Sequence, residues 1–108
     1  NIISDKKAFD VEIINVSELT TIADYIIIAE GNTTRHIKSI ADAVLVILKK
    51  QNIMPLAFEG FDDDTGWIAI DYAGIILHIL TEEKRKKFKL EDFWKYEIKK
   101  IKKEVEKI

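Results

Sequence analysis

At 108 residues, with 47% apolar and 33% charged positions, four Gly, one Pro and no Cys, the chain has the makeup of one globular domain. This composition excludes a long disordered stretch, a disulfide framework and a thiolate metal site. No apolar run reaches the ~18 residues of a spanning helix and the start does not read as a signal peptide, so a cytoplasmic protein with no membrane partner is expected.

The net charge of −2 hides a division. Residues 1–83 hold six Lys/Arg against fourteen Asp/Glu, a net of −8, and residues 84–108 hold eleven against five, a net of +6. An acidic body with a basic tail suggests an anionic partner for the tail, such as nucleic acid. A solvated helix flank explains the same lysines equally well.

Along the chain, DVEIINV at 10–16 carries Val11, Ile13 and Val16 at near-strand spacing and predicts a first strand. ADYIIIAE at 23–30 is a continuous β-branched run, the pattern of a strand buried on both faces. Gly31 and Asn32 stop it. A helix follows, capped by Asn32, Thr33 or Thr34, because a short side-chain oxygen can accept an orphan N–H of the first turn. Its stripe is Ile37, Ile40, Ala41, Val44, Ile47 and Leu48, and Lys49 and Lys50 suit the negative end of its dipole. Pro55 opens an extended piece, LAFEG, expected at an outer edge of the sheet since Pro cannot donate to a ladder. Residues 61–66 read as a polar loop. WIAIDY and IILHIL then form a hairpin about Ala73-Gly74. From Thr81 onward the pattern turns helical, with Leu90, Trp94, Ile98, Ile101, Val105 and Ile108 at spacings of three and four. The expected organisation is one domain over 1–108, an α/β (α+β) mixed sheet with flanking helices, in which 95–108 form a C-terminal helical extension.

A two-residue connection sets the hairpin register: Tyr72 faces Ile75, Ile70 faces Leu77, and Ile68 faces Ile79. These six residues make a core face. The opposite face carries Trp67, Ala69, Asp71, Ile76, His78 and Leu80, with Asp71 and His78 diagonally placed and near enough to hydrogen-bond. Such a face can be a satisfied polar pair beneath a helix, a recognition surface anchored by Trp67, or a catalytic Asp–His pair. The last lacks a nucleophile, since no Ser, Cys or second His stands in a recognisable motif.

Taken together, ADYIIIAEGNTTRHIKSIADAV, FEG, GWIAIDYAGIILHIL and EEKRKKFKLEDFW, in this order and spacing, resemble the ribosomal silencing factor (Iojap-like) family. The resemblance runs from Asp5-Lys6-Lys7-Ala8 to Trp94. It implies a nucleotidyltransferase-like topology without catalytic apparatus or cofactor, and a translation repressor that binds large-subunit protein number fourteen and sterically blocks small-subunit docking. Carried over by position, the partner-binding residues are Trp67, Asp71, Tyr72 and Gly74, with His78 close by. Tyr72 falls on the core face in the register above, so a contact surface spanning the end of the hairpin is needed to unite it with Trp67. The chain departs from the family pattern in three places. The family's N-terminal helix is missing or cut to residues 1–4, which leaves a homodimer open. The loop Asp62-Asp63-Asp64 is unusually acidic, and the chain runs on past Trp94.

Two alternatives stand beside this reading. Asp62, Asp64 and Asp71 are oxygen donors of the kind Mg²⁺ takes, as in a nucleotidyltransferase-like enzyme. Against it, Gly31-Asn32-Thr33-Thr34 is only a faint echo of a phosphate-cradling loop. The Lys-rich tail could instead make the chain an RNA-binding module, or give a secondary, salt-sensitive contact with ribosomal RNA.

Overall fold

The run Ala23–Gly31 forms a central strand, as its consecutive β-branched residues Ile26, Ile27 and Ile28 predict. The computed structural model describes residues 9–18, 23–62 and 64–89. In chain order these give β1 (Phe9–Asn15), β2 (Ala23–Gly31), α1 (Thr34–Lys50), β3 (Ala57–Glu59), β4 (Trp67–Tyr72), β5 (Gly74–Thr81) and α2 (Glu82–Phe88). The strands make one five-stranded sheet in the order β1-β2-β5-β4-β3. β2 and β5 run parallel at its centre, and the other neighbours pair antiparallel. The α/β mixed sheet expected from the sequence is therefore present. The apolar stripe from Leu90 to Ile108, including the proposed extension, lies outside the described residues.

α1 is the crossover between the parallel strands, and its local signals explain its ends. The Thr33 hydroxyl oxygen accepts the His36 N–H at 3.0 Å, while His36 Nδ1 accepts the Asn32 N–H at 2.9 Å. This resembles a capping box with a histidine in the place usually taken by Glu or Gln, except that its ring reaches the N–H of Asn32 rather than that of the cap residue Thr33. Ile37, Ile40, Ala41 and Val44 are buried. They pack on Ile68, Ile70, Tyr72, Leu77 and Ile79, the predicted core face of the hairpin, with Leu48 and Phe61 partly buried alongside. Each buried Ile, Leu or Val among them contributes roughly 1.5–3 kcal/mol.

The hairpin register is the one predicted, Tyr72 to Ile75, Ile70 to Leu77 and Ile68 to Ile79. One member departs from expectation. Ile75 is 39% exposed, because it lies at the turn end of the strand, where α1 no longer covers the sheet. The turn places Gly74 at φ 85°, whereas Ala73 does not carry a positive φ. That sign pattern belongs to a type II turn, which needs only its second central residue to be left-handed and so accepts Ala73.

The other face of the sheet carries a second core of Ile14, Val16, Ala23, Ile26, Ile28 and Leu80, against which Trp67 and Ile76 are partly buried. α2 starts where the sequence places it, with Thr81 as its cap and Glu82 and Glu83 in the first turn. It closes at Lys89, a left-handed residue at φ 49° whose N–H bonds to the Arg85 carbonyl. A single uninterrupted helix from Thr81 onward is thus not what forms. Arg85 is buried, its guanidinium 3.7 Å from the Glu30 carboxylate. Burial pushes the Glu30 carboxyl above its ordinary range, an effect that the nearby Arg85 charge only partly offsets.

Replacing Ile70, fully buried between α1 and the sheet, by Ala is expected to cost about 2–5 kcal/mol. Thr33→Ala, which removes only a cap, is expected to cost about 1 kcal/mol. Urea unfolding of both variants checks the ranking, and equal losses would contradict the assignment of α1's inner face.

Candidate functional site

β4 alternates Trp67, Ala69 and Asp71 onto the face away from α1, and β5 places His78 opposite Ala69. His78 therefore has two diagonal neighbours, Trp67 and Asp71. The structure selects the first. Trp67 Nε1–H donates to His78 Nδ1 at 3.0 Å, and the ring centroids are 5.7 Å apart. The Asp71–His78 bond expected from the sequence is replaced by this one. Physically, the indole N–H is a donor that must be satisfied when half-buried, and a neutral imidazole supplies an acceptor without desolvating a carboxylate.

Burial holds the His78 pKa below its ordinary value. With Nδ1 accepting, the neutral ring carries its proton on Nε2. Phe88, at the end of α2, packs on the other side of Trp67 with centroids 4.7 Å apart. Together the three rings wall an open cleft of about 570 Å³, completed by Glu59, Gly60, Thr65, Ala69 and Lys84. Gly60 is required there. Its φ is 93°, and a Cβ would come within 2.2 Å of the Trp67 carbonyl oxygen, so only glycine lets the β3–β4 loop pass so close to β4. Phe88 and Gly60 were not singled out by the sequence. Their roles come from a helix end and a loop crossing, neither of which periodicity locates.

The five residues expected to bind a partner do not form one patch. Trp67, His78 and Asp71 share a face. Tyr72 points to the α1 side, is buried, and its hydroxyl has no hydrogen-bond partner among the described residues. Burial raises its pKa. Gly74 lies at the turn, separated from Trp67 by the full length of β4, about 17 Å at ~3.4 Å per residue. The surface spanning the hairpin end, which was to unite Tyr72 with Trp67, does not form.

Of the acidic set considered for a metal, Asp64 lies 3.2 Å from the Lys38 ammonium. Among the described residues no three His, Cys, Asp or Glu side chains come close enough to hold a metal ion. Thr33, from the faint phosphate-loop echo, is committed to capping α1. No helix among the described residues is long and apolar enough to cross a membrane.

The family model described as "Ribosomal silencing factor during starvation" matches residues 1–108. The chain belongs to this family. Relatives include a ribosomal silencing factor of Halalkalibacterium halodurans, 29% identical over 94 residues, covering 87% of this chain and 80% of the relative. A mouse protein named for mitochondrial assembly of the ribosomal large subunit is 26% identical over 97 residues, covering 87% of this chain and 42% of the relative. A crystal structure of a Chromobacterium violaceum protein superposes with a TM-score of 0.82 at 26% identity, covering 86% of this chain and 77% of the other. The silencing-factor family thus accounts for both the order of the motifs and the fold.

The depressed His78 pKa has a definite pH consequence. The unfolded chain takes up a proton near 6.5 while folded His78 resists it, so this stabilising contribution is present above that value and is lost as pH falls through the folded pKa. Thermal melts from about pH 7 to about pH 5 are expected to fall more steeply for the wild type than for His78→Gln. Parallel pH profiles would contradict the burial of a neutral imidazole.

Proposed function

We propose that the protein represses translation by binding the large ribosomal subunit through its protein number fourteen and sterically preventing the small subunit from docking. The observation that carries this reading is the match of the silencing-factor model to the whole chain. The mouse relative's name, which refers to large-subunit assembly, supports the choice of subunit. The mechanism is occlusion. It calls for a rigid, well-shaped surface and for no bond to be made or broken, so neither cofactor nor metal takes part.

On this reading, the contact includes the face of Trp67, Asp71 and His78. Trp67 is a suitable anchor because His78 on one side and Phe88 on the other hold its ring before any partner arrives, which lowers the entropy lost on binding. Tyr72 and Gly74 support the hairpin from within, one by filling the α1-side core and the other by closing the turn. The basic residues that follow residue 83 are proposed to make a secondary, salt-sensitive contact with ribosomal RNA.

Trp67→Ala is expected to weaken binding to purified large subunits by roughly thirtyfold, equivalent to ~2 kcal/mol. Binding can be measured by co-sedimentation, with circular dichroism confirming the fold. A folded variant that binds and blocks subunit joining at wild-type concentrations would show that the Trp67 face is not the contact.

A further inference from the structure

The two edges of the sheet are treated differently. At the β1 edge, pairing with β2 is interrupted by a bulge between Phe9 and Glu12, with Asp10 at φ 46°. Bulges and charges of this kind discourage a further strand from adding. β3, at the opposite edge, pairs only with β4 among the described residues. Its shortness, Pro55 ahead of it and the Glu59 carboxylate give it some protection, while its apolar side chains invite contact. Met54 is 60% exposed, Leu56 71% and Phe58 55%, with Ile53 also exposed. Phe58 is held in place by an edge-to-face contact with Phe61, centroids 5.4 Å apart, and Phe61 itself packs on the α1-side core. An exposed aromatic braced from behind has the form of an interface anchor. Clustered exposure of this kind is the informative departure from a normal surface.

Charge decides what covers it. Residues 51–81, which include β3, β4 and β5, contain five Asp/Glu and neither Lys nor Arg. Glu59 on β3 and Asp62 just after it are exposed. A nucleic-acid backbone would be repelled here, while a Lys/Arg-rich protein would be attracted.

We propose that the open edge of β3, with Met54, Leu56 and Phe58, receives an extended strand of a basic ribosomal protein, which joins the sheet and lays apolar side chains against Leu56 and Phe58. This rests on the ribosome-binding reading above and deepens it. The contact then wraps from the Trp67 face around the sheet edge to the α1 side, onto which Phe58, paired with Ile70, projects, and it is with protein rather than RNA.

The test uses the full chain carrying Leu56→Asp together with Phe58→Asp. Both side chains are largely exposed, so the melting temperature is expected to change little. Affinity for salt-washed large subunits is expected to fall by about thirtyfold or more. Hydrogen exchange at Ala57–Glu59 is expected to slow in the wild-type complex. On protein-stripped large-subunit RNA, wild type and variant are expected to bind alike. Should the Asp pair lower the melting temperature appreciably, Leu56→Ser with Phe58→Ser replaces it in the same assays. A folded variant with wild-type affinity for subunits overturns the edge contact while leaving ribosome binding intact. A loss of equal size on stripped RNA overturns it in favour of an RNA contact. Failure of the wild type itself to bind large subunits overturns the ribosome-binding reading and this inference with it.

Discussion

The parallel pairing of β2 with β5 is the constraint on which the rest of the structure depends. Parallel neighbours need a crossover, and α1 is that crossover, so one face of the sheet is covered by a helix as a matter of topology. The same pairing fixes β5, and through the tight turn at Gly74 it fixes β4 in register beside it. Once β5 is fixed, the period-two alternation of a strand leaves no freedom. Ile68, Ile70, Tyr72, Leu77 and Ile79 must go beneath α1, and Trp67, Asp71 and His78 must go to the far side. A slip of one residue would exchange the two sets.

This arrangement gives the two faces of the sheet different characters. The α1 side is dense and apolar, and holds Tyr72 with its hydroxyl unpartnered among the described residues. The far side holds a half-buried indole bonded to a neutral imidazole and backed by Phe88, beside an open cleft. Charge is segregated as well. The β3–β5 portion carries only carboxylates, whereas α2 and the sequence after it are rich in lysine. A ribosomal surface offers both kinds of complement, basic proteins and phosphate, and on the proposed reading a separate region of the chain would meet each.

Much of the fold was legible in the sequence because the signals were redundant. α1 had a cap, an apolar stripe and terminal lysines, and β2 had an unbroken β-branched run. The hairpin had a turn whose length sets its register. Less of the site was legible. Alternation alone gives His78 two equivalent diagonal neighbours, and choosing Trp67 over Asp71 depends on burial and on which polar group must be satisfied. Ile75 follows the core pattern but lies at the turn, where α1 no longer covers the sheet. Phe58 and Leu56 alternate with nothing decisive, so their exposure is a property of the strand order, which places β3 last. Lys89 ends α2 by a left-handed backbone that no residue preference at that position announces.

A ribosomal silencing factor that works by occlusion must act in proportion to the subunits it covers. The direct measurement is light scattering during association of purified large and small subunits, with the protein added to the large subunit first at increasing molar ratio. Occlusion predicts that joining declines in step with the fraction of large subunits occupied, reaching full suppression near one molecule per subunit, with no nucleotide required. Undiminished joining by saturated large subunits would contradict it.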